Sequence, residues 1–189
     1  ILLSFLNPAT KSKISLLGLI LFNILKITYI TITFINLLFK KNFMKVAILY
    51  SGGKDSTYAI EYALKNKFDI AYLLSIKPTR KDCYLFHFST VEQTKDLSKI
   101  LDIPLIYTKC NVANPEKEAI MVKKIIMKNP VDAVLLGGTG LQETQINTLK
   151  KVLSKINVKV FATHQGKNHE LVLKEMINKG YEIVITQIA

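Results

Sequence analysis

The chain has 189 residues, 49% hydrophobic and 21% charged, with two Cys, three His and a formal charge of +12. That suffices for one domain with a sizeable core and leaves no room for two full domains and a linker. Cys83 and Cys110 stand apart with no CxxC pair, and His87, His164 and His169 form no HExxH pattern, which argues against a disulfide framework and a structural zinc site.

Residues 1–43 carry five Lys and no acid, leaving 21 basic against 14 acidic residues in 44–189. Those Lys are scattered and Arg80 is the single Arg, which argues against a nucleic-acid surface, where Arg forks usually read phosphates and bases. The run 14–39 is nearly continuous apolar sequence broken by Lys26, long enough to span a bilayer. Lys on both sides gives it no orientation, and no small-residue cleavage site follows it. Its Ile, Leu, Phe, Lys, Asn, Tyr and Thr are largely residues of A/T-rich codons, the chain starts on Ile1, and Met44 directly precedes a clean strand. Read-through of upstream sequence, a membrane segment and a soluble helix are the three readings, and membrane attachment stays open. Residues 1–43 are expected to be an apolar leader, and 44–189 to carry the chemistry.

After Met44 the pattern alternates. Strands are expected at 45–50, 69–76, 103–109, 132–138, 158–163 and 181–188, with helices at 55–66, 90–101, 115–128, 142–155 and 168–179. Alternation of this kind means parallel strands joined by right-handed crossovers, and short apolar strands suit a sheet covered on both faces. The expected fold is a doubly wound α/β sandwich, with its ligand at the C-terminal ends of the strands where the strand order switches.

The first strand runs into Ser51-Gly52-Gly53-Lys54-Asp55-Ser56, which opens the first helix. Two Gly allow close approach of backbone to ligand, the helix start favours an anion, and Ser51, Ser56 and Lys54 add donors and charge. Asp55 either caps the helix or helps to hold a cation such as Mg²⁺. GxxxxGK[ST] fails, because Ile48 and Asp55 occupy two of its fixed places, and GxGxxG fails because the Gly pair is adjacent.

SGGKDS in this position resembles the pyrophosphate loop of the PP-loop ATP pyrophosphatase superfamily. The resemblance implies a Rossmann-like adenine nucleotide alpha-hydrolase fold with five or more mainly parallel strands. It also implies ATP and Mg²⁺ as cofactors, cleavage of ATP between the α and β phosphates, and transfer of AMP to a substrate oxygen. Residues 82–106, "DCYLFHFSTVEQTKDLSKILDIPLI", are similar to a segment of the diphthine–ammonia ligase family reading roughly D-S-Y-M-F-H-x-P-N, then a helix, then I-P-L. Asp82, Tyr84, Phe86, His87, Ile103, Pro104 and Leu105 match; Cys83 stands for Ser, Leu85 for Met, and Ser89-Thr90 for Pro-Asn. Glu116 and Glu118 correspond to a short acidic stretch of the family, and Gly137, Gly138 and Gln145 loosely to its loop after the fourth strand. An Arg that the family has beyond that loop is absent, with Asn147 and Thr148 in its region, which keeps a non-catalytic ATP-binding remnant as one reading. The family normally continues with a short tail beyond the last strand, so a C-terminally truncated chain is expected.

The family implies amidation of diphthine on translation elongation factor 2 in the cytoplasm, with ammonium as nitrogen source. Lys54, Asp55 and His87 would be catalytic, Ser51, Gly52, Gly53, Lys54, Asp55, Ser56, Gly137 and Gly138 would hold ATP, and Asp55 would hold the metal. The alternative is a PP-loop tRNA-modifying enzyme of the thiolation type. Such enzymes usually pass sulfur through a Cys pair, whereas Cys83 and Cys110 read as two inert thiols.

Overall fold

The computed structural model describes residue 18 and residues 21–31, 43–83, 91–138 and 143–184. The chain divides into two compact units, Ile1–Asn42 and Phe43–Ala189. In the first, residues 21–31 are helical. Leu21, Phe22, Ile24, Leu25, Ile27, Tyr29 and Ile30 are exposed there, and the Thr28 and Thr31 hydroxyls donate to the carbonyls of Ile24 and Ile27. Among the described residues no helix is long and apolar enough to cross a membrane.

The second unit is a five-stranded sheet with helices on both faces. In chain order its elements are β1 (Lys45–Leu49), α1 (Lys54–Lys65), β2 (Asp69–Pro78), α2 (Thr94–Ile100), β3 (Leu105–Cys110), α3 (Pro115–Lys128), β4 (Ala133–Leu136), α4 (Glu143–Leu153), β5 (Lys159–Ala162) and α5 (His169–Asn178). A 3₁₀ turn, Val91–Gln93, leads into α2, and another, Ser154–Ile156, follows α4. The strand order is β3-β2-β1-β4-β5 and all four pairings are parallel. This is the doubly wound α/β fold expected from the alternation, with its switch in order between β1 and β4.

Alternation within β1 explains the two cores. Val46, Ile48 and Tyr50 face one side with Ala59, Ile60 and Ala63 of α1 and with Leu73. Ala47 faces the other side, with Ala119, Val122 and Ile126 of α3 and Ile146, Leu149 and Val152 of α4. All four residues of β4 are buried, as a central parallel strand requires. The β1–β2 register shifts between Val46 and Ala47, whose partners are Ile70 and Tyr72. Local chemistry sets the helix starts. The Asn114 side chain accepts from the Lys117 N–H at 3.0 Å with Pro115 at the first helical position, and the Asn168 side chain accepts from the Glu170 N–H at 2.8 Å.

The sequence predicts a strand over 181–188, but residues 181–184 are not in the sheet; 185–189 lie outside the described residues. Tyr181 and Ile183 instead pack on Tyr58, Val172 and Met176, between α1 and α5. The Tyr181 hydroxyl donates to Glu61 of α1. An aromatic anchor and a hydrogen bond outside the sheet outweigh the β-propensity of the segment.

Candidate active site

The end of β1 is held by β2 up to the loop. The Tyr50 N–H donates to the Leu74 carbonyl at 2.9 Å, and the Tyr50 carbonyl accepts from the fully buried Ser75 hydroxyl at 2.7 Å. Gly52 then turns the chain with φ +80°, a conformation that costs other L residues about 1–2 kcal/mol. Gly53 is the N-cap of α1, in extended conformation (φ −85°, ψ 169°), and has no side chain to cap the first turn. The leading N–H groups of α1 therefore face the loop without a side-chain cap, at the positive end of the helix dipole.

The two serines fold the loop on itself. The Ser56 hydroxyl donates to the Gly53 carbonyl at 2.9 Å, accepts from the Ser51 N–H at 3.3 Å and lies 3.2 Å from the Ser51 hydroxyl. The Gly53 N–H points at the Ser51 oxygen at 3.4 Å. The contacts at 3.3 and 3.4 Å are weak beside the 2.9 Å bond from Ser56 to Gly53. Lys54 Nζ donates to both Asp55 carboxylate oxygens, at 2.7 and 2.8 Å, with 32% and 30% of the two side chains exposed. A pair so open to water is worth about 0–1 kcal/mol, so a phosphate can draw Lys54 away at little cost.

Gly137, just past β4, lies directly behind this turn. A Cβ there would stand 2.2 Å from the Asp55 carbonyl carbon and 2.3 Å from its oxygen. The absence of a side chain is what lets α1 begin against the end of β4. Gly138 follows it and is buried. His87 lies outside the described residues, as do Tyr84, Leu85, Phe86, Ser89 and Thr90.

The structure adds a residue that sequence reasoning missed. His164, two residues past β5, is 0% exposed, and its Nε2 lies 4.0 Å from Asp55 Oδ1. Its ring packs on Tyr58 of α1 at a tilt of 34°, with centroids 4.5 Å apart. Burial pushes the imidazole below its usual pKa, and the Asp55 charge opposes that shift. Tyr58 is pinned in turn: its hydroxyl donates to Glu175 Oε1 at 2.7 Å and accepts from Lys179 Nζ at 2.6 Å. Hydrogen bonds from Lys167, Tyr58 and Lys179 hold the Glu175 carboxyl down to about 2. The available signal was position: His164 follows a strand at the same sheet edge as Ser51.

Glu116 and Glu118 sit in the first turn of α3, the former exposed and the latter fully buried. Gln145 lies in the first turn of α4. The two thiols converge: Cys83 Sγ donates to the Val112 carbonyl at 3.2 Å and Cys110 Sγ to the same oxygen at 3.6 Å. Burial pushes the Cys83 thiol up, with Glu118 and Cys110 adding to the shift, which leaves it a poor nucleophile.

The donor set suits a polyphosphate: a helix start without a side-chain cap, two hydroxyls and a loosely held ammonium. Asp55 offers the hard oxygen that Mg²⁺ takes from a protein when phosphates supply the rest. Among the described residues no group of three or more His, Cys, Asp or Glu is placed to hold a metal alone.

A doubly wound parallel sheet with SGGKDS closing its first strand defines a PP-loop ATP-using protein. The sequence model described as the Diphthamide synthase N-terminal domain matches residues 44–160, and the chain belongs to that family. It is 24% identical over 167 residues to the diphthine–ammonia ligases of Bos taurus and Homo sapiens, and 23% identical to that of Mus musculus. Each alignment covers 77% of this chain and 62% of the relative, so the chain spans less than two thirds of the length of the curated proteins it matches.

Proposed function

We propose that the chain is an ATP-dependent, AMP-forming ligase that amidates diphthine on translation elongation factor 2, acting in the cytoplasm with ammonium as co-substrate. The observation that carries this reading is the SGGKDS turn at the β1/β4 switch, with α1 opening toward the ligand side and Lys54 paired with a partly exposed carboxylate. Family membership supports the substrate.

In this reading the N–H groups at the start of α1 and the hydroxyls of Ser51 and Ser56 bind the β and γ phosphates. Lys54 leaves Asp55 to neutralise the departing pyrophosphate, and Asp55 turns to hold the metal. Bound Mg²⁺ would supply Lewis-acid stabilisation of phosphate charge. Gly137 and Gly138 keep the backbone close enough for the nucleotide to lie over β4, and His87 is assigned a catalytic role. The diphthine carboxylate oxygen attacks the α phosphorus as the bond to the bridging oxygen breaks, releasing pyrophosphate. Ammonia then attacks the adenylated carbonyl carbon, and AMP leaves with the carboxylate oxygen. The chain's work is positioning and electrostatic stabilisation. The raised pKa of Cys83 weighs against the sulfur-transfer alternative.

The test incubates the full chain with ATP, magnesium and ammonium, with and without diphthine-bearing elongation factor 2. AMP and pyrophosphate that form only with the modified factor support the proposal. Equal formation with unmodified factor, or release driven by tRNA, defeats it.

A further inference from the structure

Buried polar atoms are almost always hydrogen-bonded, and leaving one unmade costs about 1–3 kcal/mol. Among the described residues, His164 departs from this twice, because neither ring nitrogen has a partner. The ring is fully buried and held by Tyr58, which Glu175 and Lys179 fix in place. Its Nε2 faces Asp55 Oδ1 at 4.0 Å, too long for a hydrogen bond, and a movement of about 1 Å would close the gap. The neighbouring charges are Asp55 and Lys54 at the start of α1, with Lys167 before α5 and Glu175 on it.

The reason the gap stays open is visible. Both Asp55 oxygens are engaged by Lys54 Nζ. While that pair stands, Asp55 has no need of a second donor. Once a phosphate draws Lys54 away, Asp55 Oδ1 loses its donor, and among the described residues the imidazole is the side chain facing it. A ring with a proton on Nε2 can donate to Oδ1 and fix which way the carboxylate points.

We propose that His164 is a positioning residue for Asp55: its imidazole takes over the hydrogen bond to Oδ1 when Lys54 transfers from Asp55 to the bound phosphate. The inference rests on the functional reading above and deepens it. Loop and imidazole then act as a relay of partners, in which the ligand's arrival ends the Lys54–Asp55 pair and makes the His164–Asp55 one. A ring serving only to fill space would gain nothing from its two nitrogens and would pack as well as Phe.

The test uses the full chain with isotopically labelled His, first free and then with magnesium and ATP. Slow exchange with solvent of the His164 ring N–H, appearing on ligand addition and missing in Asp55→Ala, is the expected signature. His164→Phe is expected to lower kcat for pyrophosphate release by about 10–100-fold, the usual cost of removing a partner that orients a metal-holding group, with KM for ATP changed less than about threefold. His164→Gln, which keeps an N–H near the Nε2 position, is expected to recover most of that loss. Equal activity in the Phe and Gln variants overturns the proposal, as does a ring N–H that stays unprotected in ligand-bound wild type. The latter measurement stands even where a variant does not fold. Failure of the functional reading looks different: wild type then takes up no ATP, and that result overturns both.

Discussion

Replacing Gly137 with Ala puts a methyl group where the Asp55 backbone already is. The new Cβ would stand 2.2 Å from the Asp55 carbonyl carbon, 2.3 Å from its oxygen and 2.7 Å from its Cβ. Two of those three atoms are backbone, so no rotamer change relieves the overlap, and the start of α1 must move off β4. Overpacking of this kind costs about 1–3 kcal/mol, and a rigid neighbour places the variant at the upper end. For a chain of this size 1 kcal/mol shifts Tm by about 2–4 °C, so Gly137→Ala should melt about 6–12 °C below wild type. It should also bind ATP more weakly, because the loop moves with the helix start. Gly53→Ala is the control. Gly53 has φ −85°, and its added Cβ meets nothing nearer than the Ser51 hydroxyl oxygen at 3.5 Å. That variant should keep its Tm within about 3 °C while losing ATP affinity, because the methyl group enters the phosphate path. Thermal unfolding by circular dichroism and calorimetric titration with magnesium and ATP measure the two effects. A Gly137→Ala protein with wild-type Tm, or a Gly53→Ala protein that unfolds as early as it does, would refute the assigned contact.

Asp55→Ala should lower acceptor-dependent pyrophosphate release by at least about 100-fold while the circular dichroism spectrum stays that of wild type, since Asp55 is partly exposed and its ion pair contributes little stability. Ser56→Ala should lose both activity and some stability, because the Ser56 hydroxyl donates to the Gly53 carbonyl from a buried position, and the two readouts together distinguish it from Asp55→Ala. The double variant Cys83→Ser with Cys110→Ser should keep ATP-dependent amidation within about tenfold, less than roughly 1.4 kcal/mol of transition-state stabilisation, as AMP formation with ammonium supplied will show. Glu175→Gln should be less stable than wild type by about 1 kcal/mol at neutral pH, discounted for solvent screening. The folded Glu175 carboxyl lies at about 2 against 4.5 for the free group. Its contribution is therefore full above about pH 4.5 and lost as pH falls toward 2, so the Tm gap between the two proteins should close across that window.

Much of the fold could be read from residue patterns. The helix at 115–128 is bounded by an Asn-Pro start and a Lys-Asn end, both local signals, and its limits are those expected from sequence. The four-residue β4 is apolar at every position, as a strand covered on both faces must be. The helix expected over 90–101 is instead a 3₁₀ turn followed by a short α2, a distinction that depends on hydrogen-bond spacing and leaves no mark in hydrophobic period. Residues 181–184 read as strand because Tyr, Ile and Val favour strands, but Tyr181 finds its partners on α1 and α5, far away in sequence. The loop itself was legible, since strand, Gly pair and helix start are contiguous. What surrounds it was not. Gly137 meets Asp55, His164 meets Asp55 and Tyr58, and Cys83 shares a carbonyl with Cys110, each across a crossover that brings distant segments to one sheet edge.

In the proposed reaction the loop directs cleavage of ATP between its α and β phosphates by a carboxylate oxygen of the acceptor. Labelling that carboxylate with ¹⁸O follows the oxygen directly. Diphthine-bearing elongation factor 2 carrying the label is incubated with the full chain, ATP, magnesium and ammonium, and the nucleotide products are weighed by mass spectrometry. AMP carrying one ¹⁸O for each amide formed, with unlabelled pyrophosphate, is the expected result. Label appearing in orthophosphate beside ADP would mean attack at the γ phosphorus and would contradict it.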